Sequence, residues 1–389
     1  MYLNGQQSIG KRQQFFIEFF GRLDWLLIFF TLSLCAYGIL MIYTSSYDAL
    51  NQQPSAMFYK QLTWICIGIV VMFVMAFVDY HFLVRYAYIW YLILLLILLY
   101  VLIHGSVGMG AQRWIRIGGI GIQPSEIGKL VIVFTMAKYF SDLRKVGNLG
   151  LFDLWKPFAL ALIPFLMIAN QPDLGTSLMF IMLFAIMVFV AGINLKLLSA
   201  MFVFTLASLP VLWSAMKPYQ KRRVLTFLNP ESDPHGAGYH IIQSKIAIGS
   251  GGIWGKGLLE GTQSQLRFLP ERHTDFIGSV MAEELGMVGM LIFFALFFLL
   301  ILRAFEIAQS SKDREGTFLA VGIISILVLH AFVNLGMIMG LLPVVGVPLP
   351  FISYGGSSMV AVLAGIGILL NIRIRRLRLN AESEKSLLI

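Results

Sequence analysis

Apolar runs of about 17 to 25 residues alternate along the chain with short polar interruptions, and none shows the period of two that a strand with one lipid face requires. Reading each run from its polar borders predicts ten helical spans, at about 24–43, 60–79, 83–103, 126–141, 157–170, 176–194, 197–216, 275–302, 317–341 and 352–371. Continuous runs of this kind suit α-helices, which pair their own N–H and C=O groups inside the segment, and exclude a barrel. The expected fold is therefore an all-α polytopic membrane protein of about ten transmembrane helices. The fourth and fifth spans are short and bordered or interrupted by proline, so their ends are the least defined. The expected organisation is a segment 1–23, a single membrane domain 24–376, and a tail 377–389 that reads as a basic helix end followed by a frayed polar terminus.

Composition agrees with the pattern: 58% hydrophobic residues, 13% charged residues and a mean hydropathy of +0.81 exclude a water-soluble globule. Placing the N-terminus in the cytoplasm puts 17 of the 29 Lys and Arg residues on that side. Eight more fall in a loop at about 217–275, between the seventh and eighth spans, which is long enough to escape the positive-inside rule. Both termini are thus expected in the cytoplasm and the long loop outside. The net charge of +9 is this bias plus attraction to anionic lipid, and no basic folded face suggests nucleic acid. No small-residue cleavage site follows an apolar core within residues 1–23, so the first span is expected to be an uncleaved anchor. Cys35 and Cys66 lie inside apolar spans, where they read as packing residues.

Polar residues that interrupt this pattern carry the candidate chemistry. "PERHTDFIGSVMAEELG", residues 270–286, sets Glu271, Arg272, His273 and Asp275 directly against the eighth span. Thr274 is expected as a helix N-cap and Asp275 in the first turn, where the helix dipole favours a carboxylate. At the mouth of a bundle, however, such groups are costly and usually functional. Glu283 and Glu284 follow about 12 to 14 Å deeper and on different faces, so at least one should meet a buried cation or backbone donors. "QPSEIGK", residues 123–129, puts Glu126 and Lys129 on one helical face. "NQPDLGT", residues 170–176, presents Asp173 at the same outer depth. His330 and Asn334, four apart, read as interhelical hydrogen-bonding residues.

Two segments cannot be regular helix. "GLLPVVGVPLPFISYGGSS", residues 340–358, breaks helix with Pro343, Pro348, Pro350 and its glycines, and such backbone near a membrane must line protein or a wet cavity. Ser353, Ser357 and Ser358 can supply hydroxyls there. The long loop opens with turn-forming Asn229-Pro230 and Asp233-Pro234. It continues into a short amphipathic helix around Ile241, Ile242, Ile246 and Ile248 that ends at glycines, and returns irregularly to Thr274. On the expected topology all these insertions face outward. A lysine that can hold phosphate and a carboxylate that can take a proton suit group transfer from a lipid-anchored phosphate donor.

At these residues the chain resembles the SEDS family of bacterial membrane proteins (shape, elongation, division and sporulation). The wording "GTQSQLRFLPERHTDF" is similar to its elongation branch, RodA, rather than its division branch, FtsW. The resemblance covers about 20–376 and rests also on "RWIRIGGIGIQPSEIGK", "NQPDLGTS" and "GLLPVVGVPLPFISYGGSS". It implies a peptidoglycan glycosyltransferase that polymerises lipid II at the outer face of the cytoplasmic membrane, with a class B penicillin-binding protein and other elongation-complex proteins as partners. In that family the aspartate of "HTDF" is catalytic, which falls on Asp275, while Glu126, Lys129 and Asp173 match positions lining a polar cavity. Arg113, Glu271, His273, Thr274, Ser353 and Ser357 lie in the matched stretches as candidate substrate-binding residues. Where relatives commonly carry a bulky apolar residue this chain has Gly278, expected to loosen the first turn of the eighth span.

The implied reaction is one inverting displacement at the anomeric carbon, for which a single base suffices. Charge gathering on the departing pyrophosphate would be met by Lys129, loop arginines or a bound divalent cation, Mg or Mn. No metal-ligand spacing stands out. Two other classes compete: a lipid II flippase, which would call for inverted repeats and broken helices at the midplane, and a non-enzymatic cell-shape scaffold, which leaves the carboxylates and lysine without a task.

Overall fold

The computed structural model describes residues 21–387 except 49–52, 109–110, 119, 144–146, 148, 234–235 and 267. The expected N-terminal segment up to residue 20, and Arg144 and Lys145 of the charge count, lie outside the described residues. Helices stand at all ten expected positions. First come α1 (Trp25–Ser46), α2 (Ala56–Phe77), the short α3 (Tyr80–Arg85) and α4 (Ala87–His104). Then follow α5 (Pro124–Asp142), α6 (Leu151–Asn170), α7 (Leu174–Ala191) and α8 (Leu195–Ala215). The long loop holds α9 (Pro218–Leu228), α10 (Ala237–Gly251) and the single turn α11 (Thr262–Gln265), before α12 (Ile277–Gln309), α13 (Arg314–Ile338) and α14 (Gly356–Leu387). Eight are long and apolar enough to cross a bilayer: α1, α2, α4, α6, α7, α12, α13 and α14 over Gly356–Arg376. Of the other two, α5 carries Glu126, Lys129, Lys138 and Asp142, and α8 is apolar over Leu195–Val211.

The innermost helices are α13 and α14, which bury most of their apolar surface on every side, as a helix without a polar face must. α13 packs against α5, α7 and α12, and α14 against α2 and α5. Helix starts are fixed by acids: Asp24 accepts from the Leu27 amide (3.1 Å), Asp79 from that of His81 (3.0 Å), and Asp313 from that of Gly316 (2.7 Å).

Several expectations need correction. Two small antiparallel sheets accompany the helices: β1 (Tyr47–Asp48) with β2 (Gln53–Pro54), and β3 (Ser106–Gly108), β4 (Ala111–Ile117) and β5 (Ile120–Ile122). The run "KPYQKRRVLTFLNP" forms α9, and only at Asn229-Pro230 does the chain break. α6 starts at Leu151, with Pro157 and Pro164 inside it, because Asp153 accepts from the Gly150 amide (3.0 Å) and fixes the start. The chain remains helical to Leu387, through the tail expected to fray.

The largest departure lies in α12. At Gly286 (φ 64°, ψ −159°) its helix is interrupted, in a conformation open to glycine alone. Backbone of the long loop fills the interruption. Lys256 and Gly257 donate their amides to the Glu283 and Glu284 carbonyls (both 3.0 Å), and Met287 and Val288 donate to Gly252 and Ile253 (2.9 and 3.1 Å). The outer nine residues, 277–285, are thereby supported from the loop side, and α10 packs along them. Ser244 on α10 shares a hydrogen bond with Ser279 (2.7 Å) and donates to the Ile338 carbonyl (2.6 Å), tying α10 to both α12 and α13.

Candidate active site

Thr274 and Asp275 precede α12 instead of starting it: the helix begins at Ile277, and residues 271–276 form a turn closed by the Phe276 amide on the Glu271 carbonyl (3.3 Å). Thr274 does not cap the helix, because its hydroxyl donates to the Glu271 carboxylate (3.0 Å). The turn is held through three consecutive carbonyls. That of His273 accepts from the Tyr354 amide (2.9 Å), that of Thr274 from the Ser353 hydroxyl (2.7 Å), and that of Asp275 from Asn334 Nδ2 (2.8 Å). Asn334 also donates to the Val347 carbonyl (2.8 Å), so α13 and the segment 340–358 grip the turn together.

No described residue donates a hydrogen bond to the Asp275 carboxylate. It rests beside Gly346, whose left-handed backbone (φ 71°) keeps a β-carbon out of a place 3.2 Å from Asp275 Oδ2. Burial, seconded by the Glu271 carboxylate, pushes the Asp275 pKa up to about 6, against the pull of Arg113. Desolvation outweighs every other influence on this group. Burial likewise lowers the pKa of His273, which is neutral at pH 7.

Glu126 and Lys129 do lie on one face, but they are buried and not a surface pair. Lys129 Nζ lies 2.7 Å from Glu126 Oε1 and 2.6 Å from His330 Nε2. With Nε2 accepting from the ammonium, His330 carries its proton on Nδ1 and donates to the Pro348 carbonyl (3.2 Å). The ammonium group is thereby held between two buried partners and the residue is 1% exposed, so it does not present itself to a phosphate. Asp173 caps α7 through Thr176 (3.2 Å) and also accepts from Arg113 (3.2 Å) and Gln123 (3.2 Å), which orients the Arg113 side chain.

These elements enclose a cavity of about 480 Å³. Of the residues singled out in the sequence it brings together Arg113, Glu126, His273, Thr274, Asp275 and Ser357, with Ser358. Lys129, Asp173 and Ser353 stand behind its wall. Ser353 is spent on the Leu349 amide (2.8 Å) and the Thr274 carbonyl, and Glu271 faces a neighbouring cavity. Four further wall residues, Lys60, Trp64, Trp114 and Tyr354, escaped the sequence reading. Lys60 and Trp64 occupy one stripe of α2, and the lysine lying inside an apolar run was the available signal. Arg113 lines the cavity, and its Nε is buried with no partner among the described residues.

Glu283 and Glu284 are structural. Glu283 accepts from Lys256 Nζ (2.8 Å) and from the Gln263 and Ser264 amides (2.9 and 3.0 Å), and Glu284 from the Ser264 hydroxyl (3.3 Å), so they anchor the loop to α12. Gly278 is buried against Ile338, and its missing side chain lets α12 approach α13 closely without unwinding the first turn. Among the described residues no three His, Cys, Asp or Glu side chains converge as a metal site. Glu126 and Asp173 already have cationic partners, so the side chains present do not fit a resident divalent cation.

The profile of the FtsW/RodA/SpoVE cell cycle proteins matches residues 24–377. The peptidoglycan glycosyltransferase MrdB of Escherichia coli (strain K12) is 44% identical over 355 residues, covering 91% of this chain and 94% of its own. A probable peptidoglycan glycosyltransferase FtsW of Geobacter metallireducens is 40% identical, covering 91% and 95%. The peptidoglycan glycosyltransferase RodA of Treponema pallidum is 34% identical, covering 91% and 98%. Among solved structures, a chain of a peptidoglycan synthase complex, described for its structural coordination of polymerization and crosslinking, superposes with a TM-score of 0.77 at 34% identity, covering 91% of this chain and 98% of that one. The rod shape determining protein RodA of Thermus thermophilus superposes with a TM-score of 0.67 at 29% identity, covering 91% and 97%.

Proposed function

The chain belongs to the FtsW/RodA/SpoVE family of cell cycle proteins, and on that footing we propose that the cavity at Asp275 is its peptidoglycan glycosyltransferase site. The enzyme is a multi-pass membrane glycosyltransferase of cell-wall synthesis. Lipid II is the substrate, polymerised at the outer face of the bacterial inner membrane, and a class B penicillin-binding protein crosslinks the product.

One observation carries this reading: a carboxylate of raised pKa, given no donor by any described residue, opens into a cavity whose walls also hold Arg113 and Lys60. In the reaction the 4-hydroxyl oxygen of the acceptor sugar forms a bond to the anomeric carbon of the donor, and the bond from that carbon to the polyprenyl pyrophosphate breaks. Asp275 takes the hydroxyl proton. Arg113, oriented by Asp173, meets the charge left on the pyrophosphate, with Lys60 at the rim. Lys129 and His330 set the wall from behind instead of touching phosphate, and Lys129 neutralises the Glu126 carboxylate that lines it. A divalent cation, if the reaction uses one, arrives on the pyrophosphate, since the side chains do not assemble a site for it.

The test is direct. Purified wild-type chain supplied with labelled lipid II, with and without its penicillin-binding partner, is expected to make polymer, and well-folded Asp275→Ala is expected to make none. Substantial polymer from Asp275→Ala would overturn the assignment.

A further inference from the structure

A second cavity, of about 520 Å³, adjoins the first. It is lined by Ser46 and Tyr47 where α1 ends, Ser55 where α2 begins, and Glu271, Arg272 and His273 ahead of Asp275. Met57 and His273 line both cavities, so the two share a wall beside the turn that carries the base.

Their chemistry differs. The first offers Arg113 and Lys60. In the second, the Arg272 guanidinium already donates to the Ser264 carbonyl and His273 is neutral, so hydroxyls and the Glu271 carboxylate dominate. Two features mark the second cavity as built for a ligand. The Ser46 hydroxyl is buried, 8% exposed, with no hydrogen-bond partner among the described residues. A buried hydroxyl left so is destabilising unless something else pairs with it. Glu271 also holds a left-handed backbone (φ 49°), a strain that residues other than glycine carry mainly at working sites.

We propose that this second cavity is a saccharide subsite, which takes the uncharged sugar rings of the acceptor while the donor's pyrophosphate occupies the cation-bearing first cavity. The proposal rests on the glycosyltransferase reading and follows from its geometry. An in-line displacement places nucleophile and leaving group on opposite sides of the anomeric carbon. A leaving group drawn toward Arg113 leaves the opposite side of the anomeric carbon, beside Asp275, to the attacking 4-hydroxyl, with the rest of the acceptor reaching past His273 into the second cavity. There the Ser46 and Ser55 hydroxyls and the Glu271 carboxylate can pair with sugar hydroxyls, and the Tyr47 ring can pack against an apolar sugar face.

Di-N-acetylchitobiose, an uncharged disaccharide without lipid or phosphate, is the probe. Ligand-observed saturation-transfer NMR on the full chain is expected to show binding to wild type and equally to Lys60→Ala. Ser46→Phe, which replaces the hydroxyl with a ring, should reduce the signal about fivefold or more, the size of one lost hydrogen bond, and Ser46→Thr should retain it. Tyr47→Ala, which only removes a ring, should weaken binding in the same direction and serves if Ser46→Phe fails to fold. With lipid II, Ser46→Phe is expected to raise KM about tenfold at nearly unchanged kcat, the pattern of lost ground-state binding. No binding to wild type, an unchanged signal in folded Ser46→Phe, or loss of signal in Lys60→Ala would each overturn the subsite. A wild-type chain that binds the disaccharide through Ser46 but makes no polymer from lipid II would keep the saccharide site and remove the glycosyltransferase reading instead.

Discussion

Where α1 starts and α12 ends, Asp24 takes the Leu27 amide and Arg303 Nε on both oxygens (3.0 and 2.9 Å). At the same end Asp79 binds Arg375 (3.0 Å), and Asp313 accepts from the Tyr80 hydroxyl as well as the Gly316 amide. At the opposite end Asp275 is half-buried, yet no described residue donates to its carboxylate. The acids of the first group are saturated by donors, so their proton affinity and position are settled by the protein. Asp275 has its main chain fixed through the Asn334 side chain while no described residue donates to its carboxylate, which leaves that group's oxygens available to a ligand.

Asp275→Asn breaks the contrast at its strongest point. Polymerisation is expected to fall about 10³-fold, within the range of a lost general base, while a thermal melt at pH 8 shows a variant at least as stable as wild type. The sign follows from the raised pKa. Between about pH 4 and 6 the folded state holds a proton that the unfolded chain has released, so this carboxyl's contribution to stability declines as pH rises through that window, and asparagine escapes the loss.

Lys129→Met comes next. It strands Glu126 in the wall without its cation, and stability should drop by about 3 kcal/mol. Adding Glu126→Gln should recover much of that drop, a coupling readable in a double-mutant cycle of melting curves. Third, kcat/KM for lipid II is expected to decline roughly tenfold per pH unit below about 6, as Asp275 becomes protonated. A profile flat to pH 4.5 would remove Asp275 as the base. Smallest is Asp24→Asn, which should lower stability by about 1 to 2 kcal/mol, because the Arg303 partner is partly exposed. The activity of the folded fraction should stay within about twofold. If Asp24→Asn instead abolished polymerisation at full stability, the division between saturated and open acids would fail.

Much of this was legible in the chain. Helix positions follow from apolar run length, and Asp275, Glu126 and Asp173 stand out because ionisable groups bordering lipid are expensive. What escaped depends on partners remote in sequence. Nothing near Thr274 announces that Ser353 and Tyr354 will grip the carbonyls beside it and hold the helix start back to Ile277. The pairing of Lys256 and Gly257 with Glu283 and Glu284 likewise joins segments about 27 residues apart, and only it makes an interruption at Gly286 tolerable. Lys129 differs for the same reason: its spacing from Glu126 is visible in the chain, but His330, 201 residues away, holds the ammonium group on its other side and out of the cavity. The strands were closer to hand, since "AQRWIRIGGIGI" has alternation around two glycines, the mark of a hairpin.

The interruption at Gly286 divides α12 into a long apolar column and a short piece, 277–285, that leads back to the turn carrying Asp275. Loop backbone at 252–257 bonds to both pieces, and α10 and α13 hold the short one. The kink is therefore a clamped joint, and the placement of Asp275 is set through the loop as much as through the helix behind it.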